Sequence, residues 1–301
     1  MYPSFLPPLV NQLTEPAAID FAKSLQQEAI ATPLRSEPIL TSFTQAGTGD
    51  IPILLIHGFD SSVLEYRYLM PKLAEHHEVW AVDLLSFGFT ERPAELAFNP
   101  ETICAHLYSF WQQKINRPVL IIGASMGGAV ALDFALNHPE AVSQITLLDS
   151  AGLAPKPFSR FVMVPPLDRW ATGFLGSMNV RRKICLSAYY DKSRVNEDAV
   201  ICGAMHLGCD RWQETLIAFT KGGGYGSFYP KLKDITQPTL ILWGKQDQIL
   251  GTKAPLKFEK GIPNSTLEWI PDAGHLPHVE QTDLVLEKIL AFCTSPATAV
   301  G

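Results

Sequence analysis

The feature that most constrains the fold is a serine between glycines, placed where an apolar run meets a helix-like segment. Residues 118–122 read Pro-Val-Leu-Ile-Ile, residues 123–128 read Gly-Ala-Ser-Met-Gly-Gly, and an alanine-rich stretch follows. A buried parallel strand that ends here turns sharply into a helix and holds the Ser125 hydroxyl outward in a strained conformation. Glycine is needed on both sides because side chains would collide across the turn. The segment therefore predicts a nucleophile on a strand–turn–helix.

Apolar runs alternate with helix-like segments through most of the chain, which indicates an α/β fold. Such alternation predicts a mostly parallel central sheet with helices on both faces. Besides 118–122, the predicted strands are 39–45, 51–56, 78–82, 142–148, 239–243 and 266–270. The predicted helices are 63–75, 100–114, 129–138, 252–260 and 282–292.

This alternation is interrupted between residues 152 and 238, where prolines and aromatic residues cluster. Prolines stand at positions 155, 157, 165 and 166, and helical patterns follow around 181–190 and 196–207. We interpret 152–238 as an inserted, mostly helical cap over the site. The core is then formed by 39–151 and 239–294, and 295–301 is expected to be a loose tail.

The first 38 residues are interpreted as an N-terminal extension that carries a short amphipathic helix. Apolar residues recur at helical spacing from Ile19 to Ile30, which predicts a helix over 17–31 that ends before Pro33. Its polar face is not basic, which favours packing on the domain over peripheral contact with a membrane.

Composition limits the classes of partner and compartment. The 301 residues are 47% hydrophobic and carry a net charge of −6, with no long run of one sign, so nucleic acid is not an expected partner. The five cysteines are scattered without a C-x-x-C pair, which indicates reduced thiols rather than a disulfide framework or a zinc site. The start of the chain lacks a secretory pattern, and no apolar stretch is long enough to span a membrane. A cytoplasmic location is expected.

Two further residues complete a candidate catalytic site with Ser125. Asp247 and His275 each lie in a loop that follows a predicted strand, in the chain order nucleophile, acid, base. His275 would take the serine proton, and Asp247 would hold the imidazole in the right tautomer. Asp149 is the alternative acid and His278 the alternative base, since both lie close to the same predicted strand ends.

Backbone amides are the expected donors for an oxyanion. The strand at 51–56 ends in His57-Gly58-Phe59, where the amide of Phe59 can point into the site, and the second amide would be that of Met126. His57 is interpreted as a structural turn histidine. Asp83 is expected to brace the loop at 83–92, and His206 in the cap is expected to be structural.

These motifs together resemble the α/β-hydrolase superfamily. The matching segments are His57-Gly58-Phe59, the loop at 83–92, residues 123–128, residues 243–247 and Gly274-His275. The resemblance implies the fold and the Ser-His-Asp triad. Residues 55–62 and 83–89 are also similar to hydrolases of cyanobacteria and plastids related to pheophytinase and chlorophyll dephytylase, which cleave phytyl esters. Those relatives usually carry glycine in place of Asp60 and Ser86.

The sequence thus predicts a serine esterase that cleaves a small-molecule hydrophobic ester through an acyl-enzyme, without a cofactor or a metal. The serine at the elbow argues against haloalkane dehalogenases and epoxide hydrolases, which use aspartate there. A C–C bond hydrolase, a cofactor-free haloperoxidase of the same fold and a slow-turnover, receptor-like binding protein stay open as alternatives. The sequence leaves the oligomeric state open.

Overall fold

The computed structural model describes residues 1–154 and 167–294. Within them the strands are β1 (Gln26–Thr32), β2 (Arg35–Ala46), β3 (Ile53–Ile56), β4 (Val79–Val82), β5 (Val119–Ala124), β6 (Val142–Leu148), β7 (Thr239–Gly244) and β8 (Ser265–Ile270). They form one eight-stranded sheet in the order β1-β2-β4-β3-β5-β6-β7-β8.

The predicted α/β class is confirmed. β2 pairs antiparallel with β1 and β4, and all other neighbours are parallel. The short strands β3 and β4 and the two strands β5 and β7 are buried at every position, as their continuous apolar sequences require on a sheet covered on both faces.

Helices cover the sheet on both faces. The core helices are α1 (Pro16–Ser24), α2 (Leu69–Leu73), α3 (Pro100–Lys114), α4 (Met126–Asn137), α9 (Ala254–Gly261), α10 (Pro277–Glu280) and α11 (Thr282–Thr294). One apolar cluster contains side chains from α3, α4 and α9, and the other contains side chains from α1, α2 and α11. The helix predicted over 63–75 is divided into a 3₁₀ turn (Val63–Tyr66) and α2.

The prediction of one helix over 17–31 is wrong in its second half. Helix α1 ends at Ser24, Leu25 is extended, and β1 then pairs with β2, where Ile30 lies opposite Ile39. Both isoleucines are buried, so the pairing buries an apolar pair that a longer helix would have had to place elsewhere. The boundary predicted at residue 38 also runs through β2, because the sheet already begins in β1.

The beginning of the chain packs on the domain. Leu6, Val10, Leu13 and Phe21 are buried in the same apolar cluster as α2 and α11. The Asp198 carboxylate, which lies in the insertion, accepts hydrogen bonds from the backbone N–H of Thr14 at 3.0 Å and from that of Glu15. The N-terminal segment therefore contacts both the core and the insertion.

The described part of the insertion is helical and carries no strand between residues 167 and 238. Its helices are α5 (Leu167–Leu175), α6 (Met178–Ala188), α7 (Glu197–Cys202) and α8 (Trp212–Lys221). The four prolines noted in its sequence, and the predicted tail at 295–301, lie outside the described residues. In the part of the chain that is described, no helix combines the length and the apolar character needed to cross a bilayer.

Candidate active site

Ser125 lies at the sharp turn between β5 and α4. Its backbone has φ 52° and ψ −117°, a region that residues with a side chain rarely adopt. The turn can close this tightly only because glycines surround it: a Cβ on Gly123 would lie 2.2 Å from the carbonyl oxygen of Gly127, and one on Gly127 would lie 2.0 Å from that of Ile56. The strained serine stands at the N-terminus of α4, where amide dipoles favour negative charge.

The structure places the three candidate triad residues in one hydrogen-bonded series. The Ser125 hydroxyl donates to Nε2 of His275 at 3.0 Å, and Nδ1–H of His275 donates to Oδ2 of Asp247 at 3.2 Å. The other Asp247 oxygen accepts the backbone N–H of Ile249 at 2.7 Å. Burial alone would raise the pKa of Asp247, but the interaction with His275 and the hydrogen bonds from the backbone N–H groups of Ile249 and Leu250 together lower it. The carboxylate is thus held ionised beside the imidazole.

His275 lies in the segment 271–276, which we call the histidine loop. The backbone N–H of His275 donates to the carbonyl oxygen of Ala188, the last residue of cap helix α6, at 2.7 Å. The buried Glu280 carboxylate accepts the N–H of Gly274 at 2.7 Å, and also those of Tyr190 and Asp191, which follow α6. The loop is therefore fixed to the cap through backbone groups.

The alternative acid and base are close by but lack these contacts. A carboxylate oxygen of Asp149 lies within 4.8 Å of a carboxylate oxygen of Asp247 and of a ring nitrogen of His275. Asp149, however, accepts the backbone N–H of Gly244. Burial and the Asp247 charge raise its pKa well above the usual range. His278 is fully buried on Tyr66, with no hydrogen-bond partner for either ring nitrogen among the described residues, and burial lowers its pKa to about 3.

The second loop of the site is residues 57–62, which we call the oxyanion loop. It passes beside the nucleophile, because a Cβ on Gly58 would lie 3.5 Å from Cβ of Ser125. The N–H of Gly58 donates to the Glu65 carboxylate at 3.2 Å. The N–H groups of Phe59 and Met126 have no hydrogen-bond partner within the described residues, so these two amides are available for an oxyanion.

His57 and Asp83 support this loop. The His57 ring donates from Nδ1 to the Gly58 carbonyl oxygen at 2.8 Å and accepts the N–H of Leu84 at Nε2, at 3.1 Å. That pattern requires a neutral ring, and burial lowers the pKa of His57 to about 4. The Asp83 carboxylate accepts the N–H groups of Val63 and Phe89, at 2.8 and 3.0 Å. Both residues have the structural role predicted for them.

A cavity of about 300 Å³ adjoins Ser125 and His275 under the cap. Its apolar lining includes Ile184, Ala188, Ile249, Leu276 and Val279. Glu65 also lines it, and burial raises the pKa of this carboxyl to about 7. The cavity falls at the lower end of the usual volumes of small-molecule sites.

Sequence reasoning missed a buried polar cluster around Asp60. Its carboxylate accepts hydrogen bonds from Arg181, from Nε2 of His206 at 3.0 Å and from Nε1 of Trp212 at 2.7 Å. Burial alone would raise the pKa of Asp60, but the His206 hydrogen bond and the Arg181 charge hold it below its usual range. His206 itself is buried, which lowers its pKa, so it donates as a neutral ring. The unusual aspartate after Phe59 was the sequence signal for this cluster, but its partners lie 121 or more positions away.

Comparison with known proteins places this geometry among hydrolases. The model of the alpha/beta hydrolase family matches residues 53–288, which include Ser125, Asp247 and His275 as well as the insertion.

Two curated relatives and one solved structure show the range of similar proteins. The chain is 28% identical to the alpha/beta hydrolase domain-containing protein VTE7 of Arabidopsis thaliana, over 97% of this chain and 91% of the relative. It is 28% identical to a 2-hydroxy-6-oxo-2,4-heptadienoate hydrolase of Pseudomonas putida, over 81% of this chain and 88% of the relative. A thermophilic esterase from Thermogutta terrifontis shares the fold, with a TM-score of 0.75 at 24% identity, covering 89% of this chain and 98% of that one.

Proposed function

The chain belongs to the alpha/beta hydrolase family, and from that premise we propose that it is a serine hydrolase that cleaves hydrophobic carboxylic esters. The observation that carries the proposal is the series from Ser125 through His275 to Asp247 beside two unpartnered amides. An acyl-transfer site needs a nucleophile, a base and donors for the oxyanion, and these residues supply all three.

The chemistry follows from the positions of the protons. His275 Nε2 takes the proton of Ser125 as the serine oxygen bonds to the ester carbonyl carbon, and the carbonyl oxygen becomes negative near the amides of Phe59 and Met126. The ester C–O bond then breaks, and His275 gives its proton to the leaving alcohol. Water repeats the sequence on the acyl-enzyme and releases the acid.

The apolar lining of the cavity supports a hydrophobic ester as the substrate. Ile184, Ala188, Leu276 and Val279 lie around the nucleophile and bury apolar surface of whatever enters. We propose p-nitrophenyl esters of increasing acyl length as probes, followed by a phytyl ester, because the sequence resembles hydrolases that act on such esters.

The test is labelling with a fluorophosphonate, mapped by peptide mass spectrometry, beside hydrolysis of the ester series. We expect label on Ser125, turnover, and loss of both in Ser125→Ala, with kcat falling at least about 10³-fold. Label without turnover of any ester would favour the receptor-like alternative. Absence of label in the wild-type protein would contradict the proposal.

A second candidate, hydrolysis of a C–C bond, is favoured by one relative and one side chain. The P. putida relative is named for a 2-hydroxy-6-oxo-dienoate, a carboxylate. Arg67 lines the cavity, and its buried Nε–H has no hydrogen-bond partner among the described residues, although Glu15 lies 3.6 Å away. Turnover of such a dienoate at a higher kcat/KM than any ester would assign this activity instead.

A further inference from the structure

The oxyanion loop is held by a charged side chain directly after Phe59, the residue whose N–H is a candidate oxyanion donor. Asp60 follows Phe59, and its φ of 50° lies in the left-handed region, which aspartate tolerates better than most residues with a side chain. This conformation turns the carboxylate into the cap, where it is only 8% exposed.

Three side chains from three cap segments converge on that carboxylate. Arg181 comes from α6, His206 from a 3₁₀ turn and Trp212 from the first turn of α8, and all three are nine-tenths or more buried. The Arg181 guanidinium is fixed in turn, since its Nε–H donates to the Leu175 carbonyl oxygen at 2.7 Å.

The Phe59 side chain adds an apolar contact between the same two parts. Its ring centroid lies 5.9 Å from that of Phe219 in α8 and 5.8 Å from that of Phe87 in the core. The Phe59 N–H therefore belongs to a residue whose ring packs on the cap and whose next neighbour in the chain, Asp60, is bound to the cap.

We propose that Asp60 is a positioning residue for catalysis: bound to Arg181, His206 and Trp212, it aims the Phe59 amide at the oxyanion only while the cap is seated. The inference rests on the proposed function. It makes oxyanion stabilisation conditional on the cap, so that acyl transfer begins over a substrate that the cap already covers. Asp60 lines the cavity, but the three cap donors occupy its carboxylate, so it acts through the loop rather than as an acid or base.

The test compares Asp60→Asn with the double variant D60N/R181M. Asparagine leaves the Arg181 charge buried and unpaired, which destabilises proteins, whereas removing both charges together is often tolerated. Both variants lack the anchor, so we expect kcat for a p-nitrophenyl ester to fall about 10- to 100-fold in each, with KM within about threefold. Complete loss of one amide donor costs about 10²- to 10³-fold, and a misplaced donor costs less.

A pair of inhibitors separates positioning from folding. A trifluoromethyl ketone bonds to the Ser125 oxygen, its carbonyl oxygen becomes an oxyanion, and the serine proton moves to His275. The corresponding trifluoromethyl alcohol forms no oxyanion. We expect the inhibition constant of the ketone to rise in step with the loss of kcat, and that of the alcohol to stay within twofold.

The matched control is Asp168→Asn, which removes another buried carboxylate of the cap. Asp168 accepts from Lys221 at 2.8 Å inside the cap and should leave kcat within twofold. Recovery of kcat in the double variant, or a lower melting temperature with unchanged kcat and ketone binding, would overturn the proposal. A wild-type protein that neither hydrolyses esters nor binds the ketone would instead contradict the proposed function.

Discussion

The cap is attached to the two loops of the site by contacts of different kinds. At the oxyanion loop, three cap side chains bind one carboxylate, Asp60. At the histidine loop, the contacts run through backbone groups: His275 donates to the Ala188 carbonyl oxygen, and Glu280 accepts amides from both sides. Helix α6 takes part in both, with Arg181 in its first turn and Ala188 at its end.

This difference determines what each attachment can tolerate. A backbone contact survives most substitutions in α6, because every residue except proline offers the same groups. The Asp60 cluster needs an acid, a guanidinium and two ring N–H donors in fixed positions. The histidine loop is thus held by backbone groups and one acid, Glu280, whereas the oxyanion loop is held by three cap side chains on Asp60.

The largest effect is expected when Asp247, the acid that binds His275, is replaced. Asp247→Asn should lower kcat about 10⁴-fold, because an amide cannot hold the required tautomer or stabilise the imidazolium. Asp149→Asn is the matched control. Asp149 accepts the backbone N–H of Gly244, whereas the hydrogen bond of His275 goes to Asp247, so an amide at position 149 should change kcat less than about threefold. Similar losses in the two variants would show that the acids share the role.

An intermediate effect is expected when Glu280, which links the histidine loop to the cap, is replaced. Glu280→Ala leaves the N–H groups of Gly274, Tyr190 and Asp191 without their acceptor. We expect kcat to fall about 100-fold and the free energy of unfolding to drop by about 1–3 kcal/mol, since the buried N–H of Gly274 loses its acceptor.

Steady-state kinetics and thermal unfolding measure both effects. Gln281→Ala removes a neighbouring, exposed hydrogen bond to the Asp272 carbonyl oxygen and should change neither. A loss of kcat in Glu280→Ala smaller than in Asp60→Asn would reverse the ranking of the two attachments.

The smallest effect concerns His278, which follows the histidine loop. Burial lowers its folded-state pKa to about 3, so between pH 6.5 and 3 the unfolded chain binds a proton that the folded chain does not. Stability from this group is present above pH 6.5 and is lost as the pH falls, by about 2 kcal/mol at pH 5.

Denaturant titrations at pH 7 and pH 5 measure this loss. In His278→Gln the difference between the two pH values should shrink by about 2 kcal/mol, while kcat at pH 7 stays within about threefold. An unchanged difference would mean that His278 protonates in the folded state as readily as in the unfolded chain.

Much of the site could be predicted because it depends on local rules. The glycines around Ser125, and the order of Ser125, Asp247 and His275 after successive strands, determine where these side chains meet at one edge of a parallel sheet. The same rule gave the central strands, which are continuous apolar runs. The helix predicted over 17–31 failed because an apolar spacing suited to a helix continued by chance into an edge strand.

The contacts between cap and core could not be predicted in the same way. Asp60 meets Arg181, His206 and Trp212 across 121 to 152 positions of sequence, and no periodicity relates the orientation of an inserted helix to a core loop. The role of Glu280 could not be predicted either, since its acceptance of amides beyond α6 depends on how the insertion packs.

The hydrogen bonds from Thr14 and Glu15 to Asp198 affect whether the cap could be exchanged between related proteins. The cap is inserted between β6 and β7, and in sequence it looks like a cassette that could be exchanged between relatives at those two junctions. The position of the cap, however, also depends on the first fifteen residues, which lie far from both junctions in the sequence. A chimera that transplants the insertion alone would leave the Asp198 carboxylate facing foreign chain. Residues 1–15 and the cap therefore form one structural unit and should be exchanged together.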